Sequence, residues 1–217
     1  MTHTFTLADP RVEAALGRMF EQAERDEATA ARMMPDGFSG MSPQDHADAA
    51  AQIYIPISAA GGGLLYNLVR AVRPATVVEF GMSFGISTLY LGAAVRDNGA
   101  GRVITTELSK EKIAAARGTF AQTGLEDVIS VLEGDARETL RDLDVTPDFL
   151  LLDGWKDLCL PVLRLLEPSL RPGTLVVADD INLSSLRPYL AYVRDPGNGY
   201  HSVAFPVEDG MEISCRL

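Results

Sequence analysis

From Thr76 onward, the sequence alternates between short runs of β-branched and other apolar residues and longer stretches with helical periodicity. A chain with this alternation buries its strands in a mostly parallel sheet that carries helices on both faces, so the pattern predicts an α/β fold. The predicted strands are Thr76–Phe80, Arg102–Glu107, Ile129–Glu133, Asp148–Asp153 and Thr174–Asp179. The clearest predicted helices are Ile86–Arg96, Lys110–Thr123 and Leu158–Leu166.

The last part of the chain has a different pattern. The run Asp195–Gly199 and the pair Asp209-Gly210 are turn sequences, and they border the apolar segments Tyr200–Phe205 and Met211–Arg216. A turn between two such segments is typical of an antiparallel pair. With the five earlier strands, this C-terminal antiparallel hairpin brings the predicted sheet to seven strands.

The segment before Thr76 is predicted to be partly helical. Residues Arg11 to Ala31 have one apolar stripe, which indicates an amphipathic helix that needs a surface to pack on. Prolines and glycines interrupt Met33 to Asp45, which predicts a loop, and a second helical patch follows at Asp45 to Ile53. A segment of this kind before a domain is interpreted as a lid.

Length, charge and cysteine content limit the function classes. The 217 residues fit one α/β domain with a short accessory segment, and a net charge of −11 without a basic stripe argues against nucleic-acid binding. No apolar run is long enough to span a membrane, and Met1 to Pro10 lacks the features of a signal peptide. Cys159 and Cys215 match no metal or redox spacing, so we expect reduced thiols in a cytoplasmic protein, although the sequence leaves a disulfide open.

Carboxylates follow two of the predicted strands. Asp153 comes directly after the apolar run of one strand, and Asp179 and Asp180 come after the next. Strands of a parallel sheet open to ligand at their carboxyl ends, so these acids are expected to converge. No histidine or cysteine accompanies them at ligand spacing, and hard oxygen ligands at this density favour Mg²⁺ or Ca²⁺ over zinc.

Lys156 lies three residues after Asp153, in a chain that otherwise makes its basic surface from arginine. Lys110 and Lys112 are the only other lysines. A lysine beside a metal site is explained by a need for an amine that can lose its proton, which arginine does not provide. A solvated surface charge is the alternative interpretation.

A glycine-rich segment, Glu79–Ser87, follows the first predicted strand and opens a helix. Its spacing is Gly-x-x-x-Gly rather than the Gly-x-Gly-x-x-Gly of dinucleotide sites, and tight packing alone could explain it. Glu107 ends the second strand, where an acid can accept both ribose hydroxyls, and Asp135 follows the third, where it can hold an adenine amine. Each acid could instead cap a helix. Five acids at strand ends would make an anionic cleft suited to a cationic cofactor.

These motifs resemble those of the class I S-adenosylmethionine-dependent methyltransferases, and specifically of the metal-dependent catechol O-methyltransferase family. The similarity runs from about Ile57 to the C-terminus. The segment Asp153–Asp157 reads Asp-Gly-Trp-Lys-Asp and resembles that family's Asp-His-Trp-Lys-Asp. The segment Asp209–Glu212 resembles its last hairpin.

The resemblance implies a Rossmann-like class I methyltransferase fold and two parts of the chain. Residues 1–56 would form an N-terminal helical lid over the substrate, and residues 57–217 the S-adenosylmethionine-dependent domain. The resemblance assigns the general base to Lys156 and a Mg²⁺ site to Asp153, Asp179 and Asp180. The implied cofactor-binding residues are Ile57, Glu79, Gly81, Ser87, Glu107, Leu108, Asp135, Ala136, Asp153 and Trp155.

The chain also departs from the family pattern. Asp180 replaces an Asn of the metal pair and adds negative charge, and Gly154 replaces a His that packs near the cofactor. The acid that touches the second catechol hydroxyl in that family falls near Val203, so substrate recognition is expected to differ. Trp155 could wall the cofactor site or belong to the ordinary core.

The main hypothesis is an S-adenosylmethionine-dependent, Mg²⁺-assisted O-methyltransferase that acts on a small-molecule hydroxyl acceptor with vicinal, catechol-like oxygens. The lysine-poor composition hints at bacterial secondary metabolism. The expected partners include neither nucleic acid nor membrane, and a homodimer is the oligomeric state considered. The alternatives are a metal-independent methyltransferase of the same fold and a non-catalytic cofactor-binding protein, while the glycine spacing disfavours a nicotinamide dehydrogenase.

Overall fold

The computed structural model describes residues 5–33 and 40–217. The helices of this part of the chain are α1 (Pro10–Met33), α2 (Pro43–Ala49), α3 (Ala59–Val72), α4 (Ile86–Asn98), α5 (Lys110–Thr123), α6 (Ala136–Thr139), α7 (Cys159–Leu166) and α8 (Arg187–Val193). The strands are β1 (Thr76–Phe80), β2 (Arg102–Glu107), β3 (Ile129–Glu133), β4 (Phe149–Leu152), β5 (Leu175–Ala178), β6 (Tyr200–Phe205) and β7 (Met211–Arg216).

The seven strands form one sheet in the order β3-β2-β1-β4-β5-β7-β6. Strands β1 to β5 are parallel, whereas β7 runs antiparallel to β5 and β6 antiparallel to β7. The strand order reverses between β1 and β4, and open α/β sheets bind ligands at such a reversal, beyond the carboxyl ends of the strands. The predicted mostly parallel, seven-stranded fold with a C-terminal hairpin is confirmed.

Side chains of the central strands alternate between two buried faces, as the pleat of a strand requires. Val77 and Leu151 pack in the cluster that includes α1, α3, α4 and α5. Val78 and Leu150 pack in the opposite cluster, with α6, α7 and α8. Helices therefore cover both faces, which explains why β4 and β5 are apolar throughout.

Helices α3 and α8 are two elements that the sequence pattern did not predict. The start of α3 contains Gly61, Gly62 and Gly63, a run that is typical of a loop. A side chain at Gly62 would collide with the ring of Tyr90 in α4. Gly62 therefore lets α3 pack closely on α4, at the expense of local helix propensity.

The structure narrows the predicted lid of residues 1–56. No α1 side chain that the structure describes lines the cleft, and the helix packs on α4 and α5 with Val12, Leu16 and Met19 buried in the main core. The predicted loop at Met33–Asp45 falls partly outside the described residues, and α2 is capped by Ser42, whose hydroxyl accepts from the Asp45 N–H. No described helix is long and apolar enough to cross a membrane.

Candidate active site

A cleft lies at the carboxyl ends of β1, β2, β4 and β5, where the strand order reverses. Loops after these strands form its floor, and the segment from His46 to Ile57 forms one wall. Nearly all of the predicted site residues line this cleft, namely Ile57, Gly81, Ser87, Glu107, Leu108, Asp135, Ala136, Asp153, Trp155, Lys156, Asp179 and Asp180. One cleft thus brings together residues from positions 57 to 180.

The glycine loop after β1 touches the loop after β4. Gly81 has a φ of 96°, and a side chain there would collide with the backbone of Gly154. A Cβ at Gly154 would in turn lie 2.5 Å from the ring of Phe80. Because neither glycine carries a side chain, the two loops meet at backbone distance and leave the space above them open.

Glu107 is held rigidly at the end of β2. Its Oε2 accepts the N–H of Ser83 at 2.8 Å, and its Oε1 accepts the N–H groups of Leu108 at 2.8 Å and Ser109 at 2.9 Å. Ser83 belongs to the glycine loop, so this carboxylate joins the loops that follow β1 and β2. The predicted ribose acceptor therefore lies on the cleft wall in a fixed orientation.

Two of the predicted cofactor-binding acids have other roles in the structure. Asp135 lines the cleft but caps α6, because its carboxylate accepts the Arg137 N–H at 2.8 Å and pairs with the Arg137 guanidinium. Glu79 does not line the cleft: it is fully buried behind the wall and accepts hydroxyl hydrogen bonds from Ser87, Thr88 and Thr105. Burial raises the pKa of Glu79 to about 7, although these hydroxyls oppose the shift.

The structure brings Asp153, Asp179 and Asp180 together. Each offers one carboxylate oxygen, and these oxygens lie within 4.8 Å of one another. Asp180 has a φ of 58°, in the left-handed region that Asp and Asn tolerate better than other residues. The turn after β5 therefore aims two consecutive carboxylates toward Asp153.

Lys156 reaches into the same acid cluster. Its Nζ lies 2.8 Å from Asp153 Oδ1 and 3.0 Å from Asp180 Oδ2, and its side chain is 9% exposed. Burial alone would lower the pKa of Lys156, but the charges of Asp153 and Asp180 raise it well above its ordinary value. Between these acids alone, the amine is held as ammonium.

One ammonium does not balance three carboxylates. Burial, and then the charge of Asp153, raise the pKa of Asp179 to about 8. Burial also raises the pKa of Asp153, against the attraction of Lys156. Three carboxylate oxygens without nitrogen or sulfur donors, from a buried Asp179 and the half-buried Asp153 and Asp180, are short of positive charge and fit a hard divalent cation. The residues present thus suit the predicted Mg²⁺.

The wall of the cleft is fixed by aromatic contacts. Trp155 lies on the cleft, and its ring meets that of His46 from α2 edge to face, with centroids 5.1 Å apart. Tyr54 stacks on Phe84 of the glycine loop, with centroids 4.0 Å apart and ring planes 9° apart. The N–H of Tyr54 donates to Asp26 of α1 at 3.2 Å. These contacts hold the segment before α3 against both halves of the cleft.

Sequence reasoning missed several residues of the cleft. His46, Tyr54, Phe84 and Lys112 line it, and none of them was assigned a role. The contacts of His46 and Tyr54 join distant parts of the chain, so no local pattern indicates them. Lys112 could have been singled out from the sequence, because it is one of only three lysines in the chain.

Comparisons with known proteins agree with this geometry. A methyltransferase-domain family matches residues 78–181. The chain is 33% identical over 170 residues to catechol O-methyltransferase B of Danio rerio, a match that covers 72% of this chain and 63% of that protein. It is 32% identical to the catechol O-methyltransferase of Sus scrofa, over 63% of this chain and 76% of that protein. The match to the Mus musculus enzyme covers 53% of that protein's length.

Solved structures show the same fold. The O-methyltransferase of Bacillus cereus, solved in complex with SAH, superposes with a TM-score of 0.69 at 20% identity and covers 92% of this chain and 100% of that one. These likenesses define a class I methyltransferase architecture. The chain belongs to the family that includes catechol O-methyltransferase, and it spans less than two thirds of the length of the Danio rerio and Mus musculus relatives.

Proposed function

We propose that this protein transfers the methyl group of S-adenosylmethionine to one hydroxyl of a small molecule with vicinal, catechol-like oxygens, and that a divalent cation such as Mg²⁺ assists. The observation that carries the proposal is the bridging position of Lys156, whose amine contacts two of the three clustered carboxylates within the cleft. A protein that only bound the cofactor would need neither the buried acids nor the lysine. Family membership supports the same reaction.

Each residue has a distinct task in this proposal. Glu107 holds the ribose of the cofactor, and the close approach of Gly81 to Gly154 leaves room for it. When bound among the three acids, the cation supplies positive charge that lowers the pKa of an acceptor hydroxyl and fixes its oxygens for attack on the methyl carbon. Lys156 Nζ would take the proton that the acceptor hydroxyl loses, provided that a bound cation offsets the carboxylate charge that otherwise keeps the amine an ammonium.

The proposal is tested with labelled S-adenosylmethionine and pairs of acceptors that differ by one hydroxyl. A catechol should be methylated in the presence of Mg²⁺, while the matched monophenol should not, because it offers only one oxygen. Chelation should stop the reaction. Transfer that survives exhaustive chelation would instead support a metal-independent enzyme, and tight cofactor binding without transfer to any acceptor would support a binding protein.

The lid is also a proposal, now narrowed to the segment from His46 to Ile57. This segment borders the cleft on the side of Trp155, so an acceptor bound there would touch it. We expect amide hydrogen exchange in α2 to slow when cofactor and acceptor are both present. Exchange in α1 serves as the internal control and should not change, since α1 packs in the core. Unchanged exchange in α2 would contradict the lid.

The remaining expectations, a homodimer, a cytoplasmic location and a role in bacterial secondary metabolism, stay predictions. Gel filtration with light scattering checks the first: a single species at the monomer mass would contradict it.

A further inference from the structure

A second lysine is buried in the cleft, far in sequence from the acid cluster. Lys112, on α5, is 4% exposed and lines the cleft beside Glu107 and Leu108. The chain has three lysines, of which Lys110 is exposed. Two of the three therefore lie buried in the same cleft, although no step proposed above uses Lys112.

The buried ammonium of Lys112 is poorly matched by the protein. Its Nζ donates to Ser83 Oγ at 3.1 Å and lies 5.3 Å from the centroid of the Phe84 ring. Within the described ranges, 5–33 and 40–217, no carboxylate lies within 4 Å of it, and the Ser83 hydroxyl is its one hydrogen-bond acceptor. An ammonium carries three N–H donors, so two of them have no protein partner there.

Burial of a cation in this way is costly, and it lowers the pKa of Lys112, which the charge of Glu107 partly opposes. The Phe84 ring, which lies 5.3 Å from the amine and stacks on Tyr54, helps to exclude water. A methionine of similar length would fill the same space without this cost. The position of Lys112 is explained if its free N–H groups meet an oxygen of a ligand in the cleft.

Ser83 links this amine to Glu107, the acid proposed to bind the ribose. The Ser83 hydroxyl accepts from Lys112, and the Ser83 N–H donates to Glu107. The cation and the carboxylate thus lie on either side of one residue of the cleft wall. A ribose hydroxyl both donates and accepts, so it can give its proton to a carboxylate and accept an N–H from an amine at the same time.

We propose that Lys112 donates a hydrogen bond to a ribose hydroxyl oxygen of the cofactor and shares recognition of that sugar with Glu107. The inference deepens the proposed function, because it rests on use of a nucleoside cofactor. It does not depend on the metal or on the acceptor. Lys112 thereby becomes a specificity residue for the sugar.

The test compares two ligands in two proteins. Binding of S-adenosylhomocysteine, and of the analogue that lacks both ribose hydroxyls, is measured by calorimetry for the wild type and for Lys112→Met. The substitution should lower the affinity for S-adenosylhomocysteine by roughly 10- to 100-fold, the usual effect of losing a hydrogen bond to a charged group. The analogue should bind the two proteins within about threefold of each other, because it has no oxygen for Lys112 to contact.

Two controls separate a ligand contact from a structural role. Lys110→Met, an exposed neighbour on the same helix, should leave both affinities unchanged. The ligand-free Lys112→Met protein should melt no lower than the wild type, because it loses a costly buried charge. If Lys112→Met lowered the affinity for both ligands equally, or lowered the melting temperature, the inference would be wrong and the cofactor assignment would be unaffected. A wild type that binds no S-adenosylhomocysteine would overturn both.

Discussion

Lys156→Met should lower turnover by roughly 10²–10⁴, the usual loss when a positioned general base is removed. The methionine keeps the length of the side chain and its burial but cannot take a proton from the acceptor. Lys156→Arg should lower turnover nearly as much, since a guanidinium keeps its positive charge and stays protonated. Steady-state rates at saturating cofactor, acceptor and Mg²⁺ measure the effect.

The pair of substitutions separates a base from a positive charge that merely holds Asp153 and Asp180 in place. Cofactor affinity and the circular dichroism spectrum should not change in either variant, and Lys110→Met provides a matched exposed lysine whose loss should leave turnover intact. Near-native turnover of the Arg variant would show that Lys156 has an electrostatic or structural role, and the proposed proton transfer would then be wrong.

Asp179→Asn should weaken Mn²⁺ binding by at least about 100-fold, since changes that only support a metal ligand already cost 10- to 100-fold. The measurement is calorimetry with Mn²⁺ alone, which needs neither cofactor nor turnover. The metal-free variant should melt no lower than the wild type, because removal of the buried member of three mutually repelling acids relieves the cluster. Asp209→Asn, at an exposed acid of the terminal hairpin, is the control.

Asp180→Asn tests whether the negative charge of Asp180 is needed for cation binding. The family pattern has Asn at this position, and an amide oxygen can still bind a hard cation, so this variant should retain a measurable Mn²⁺ site. Loss of Mn²⁺ binding in Asp180→Asn with normal binding in Asp179→Asn would reverse the assignment of the two acids. Binding unchanged in both variants would mean that the cation lies elsewhere.

The sheet and most of the acid cluster could be predicted because each depends on local sequence. Apolar runs of four to six residues that end in an acid mark both a strand and the edge where it opens to ligand, as at Phe149–Leu152 and Leu175–Ala178. The strand ends differed from prediction by one residue at most. Helix α3 was missed since the reason for Gly62, the ring of Tyr90, is 28 positions away.

The alternation of side chains along β1 already predicts that Glu79 points away from the cleft. In a strand, residues two apart share a face, so Glu79 points to the same side as Val77, toward α4 and away from the cleft. Its hydrogen bonds to Ser87 and Thr88 follow from that face. The burial of Lys112 was beyond such reasoning, because it depends on contacts with Ser83 and Phe84, which lie in a distant loop of the chain.

The backbone contact between Gly81 and Gly154 has an evolutionary consequence. Any side chain at position 154 meets the ring of Phe80, and any side chain at position 81 meets the backbone of Gly154. A lineage that carries histidine at position 154 therefore needs the Phe80 ring to move aside or a smaller residue at position 80. Substitutions at positions 80 and 154 are thus coupled by shape, independently of any selection for substrate.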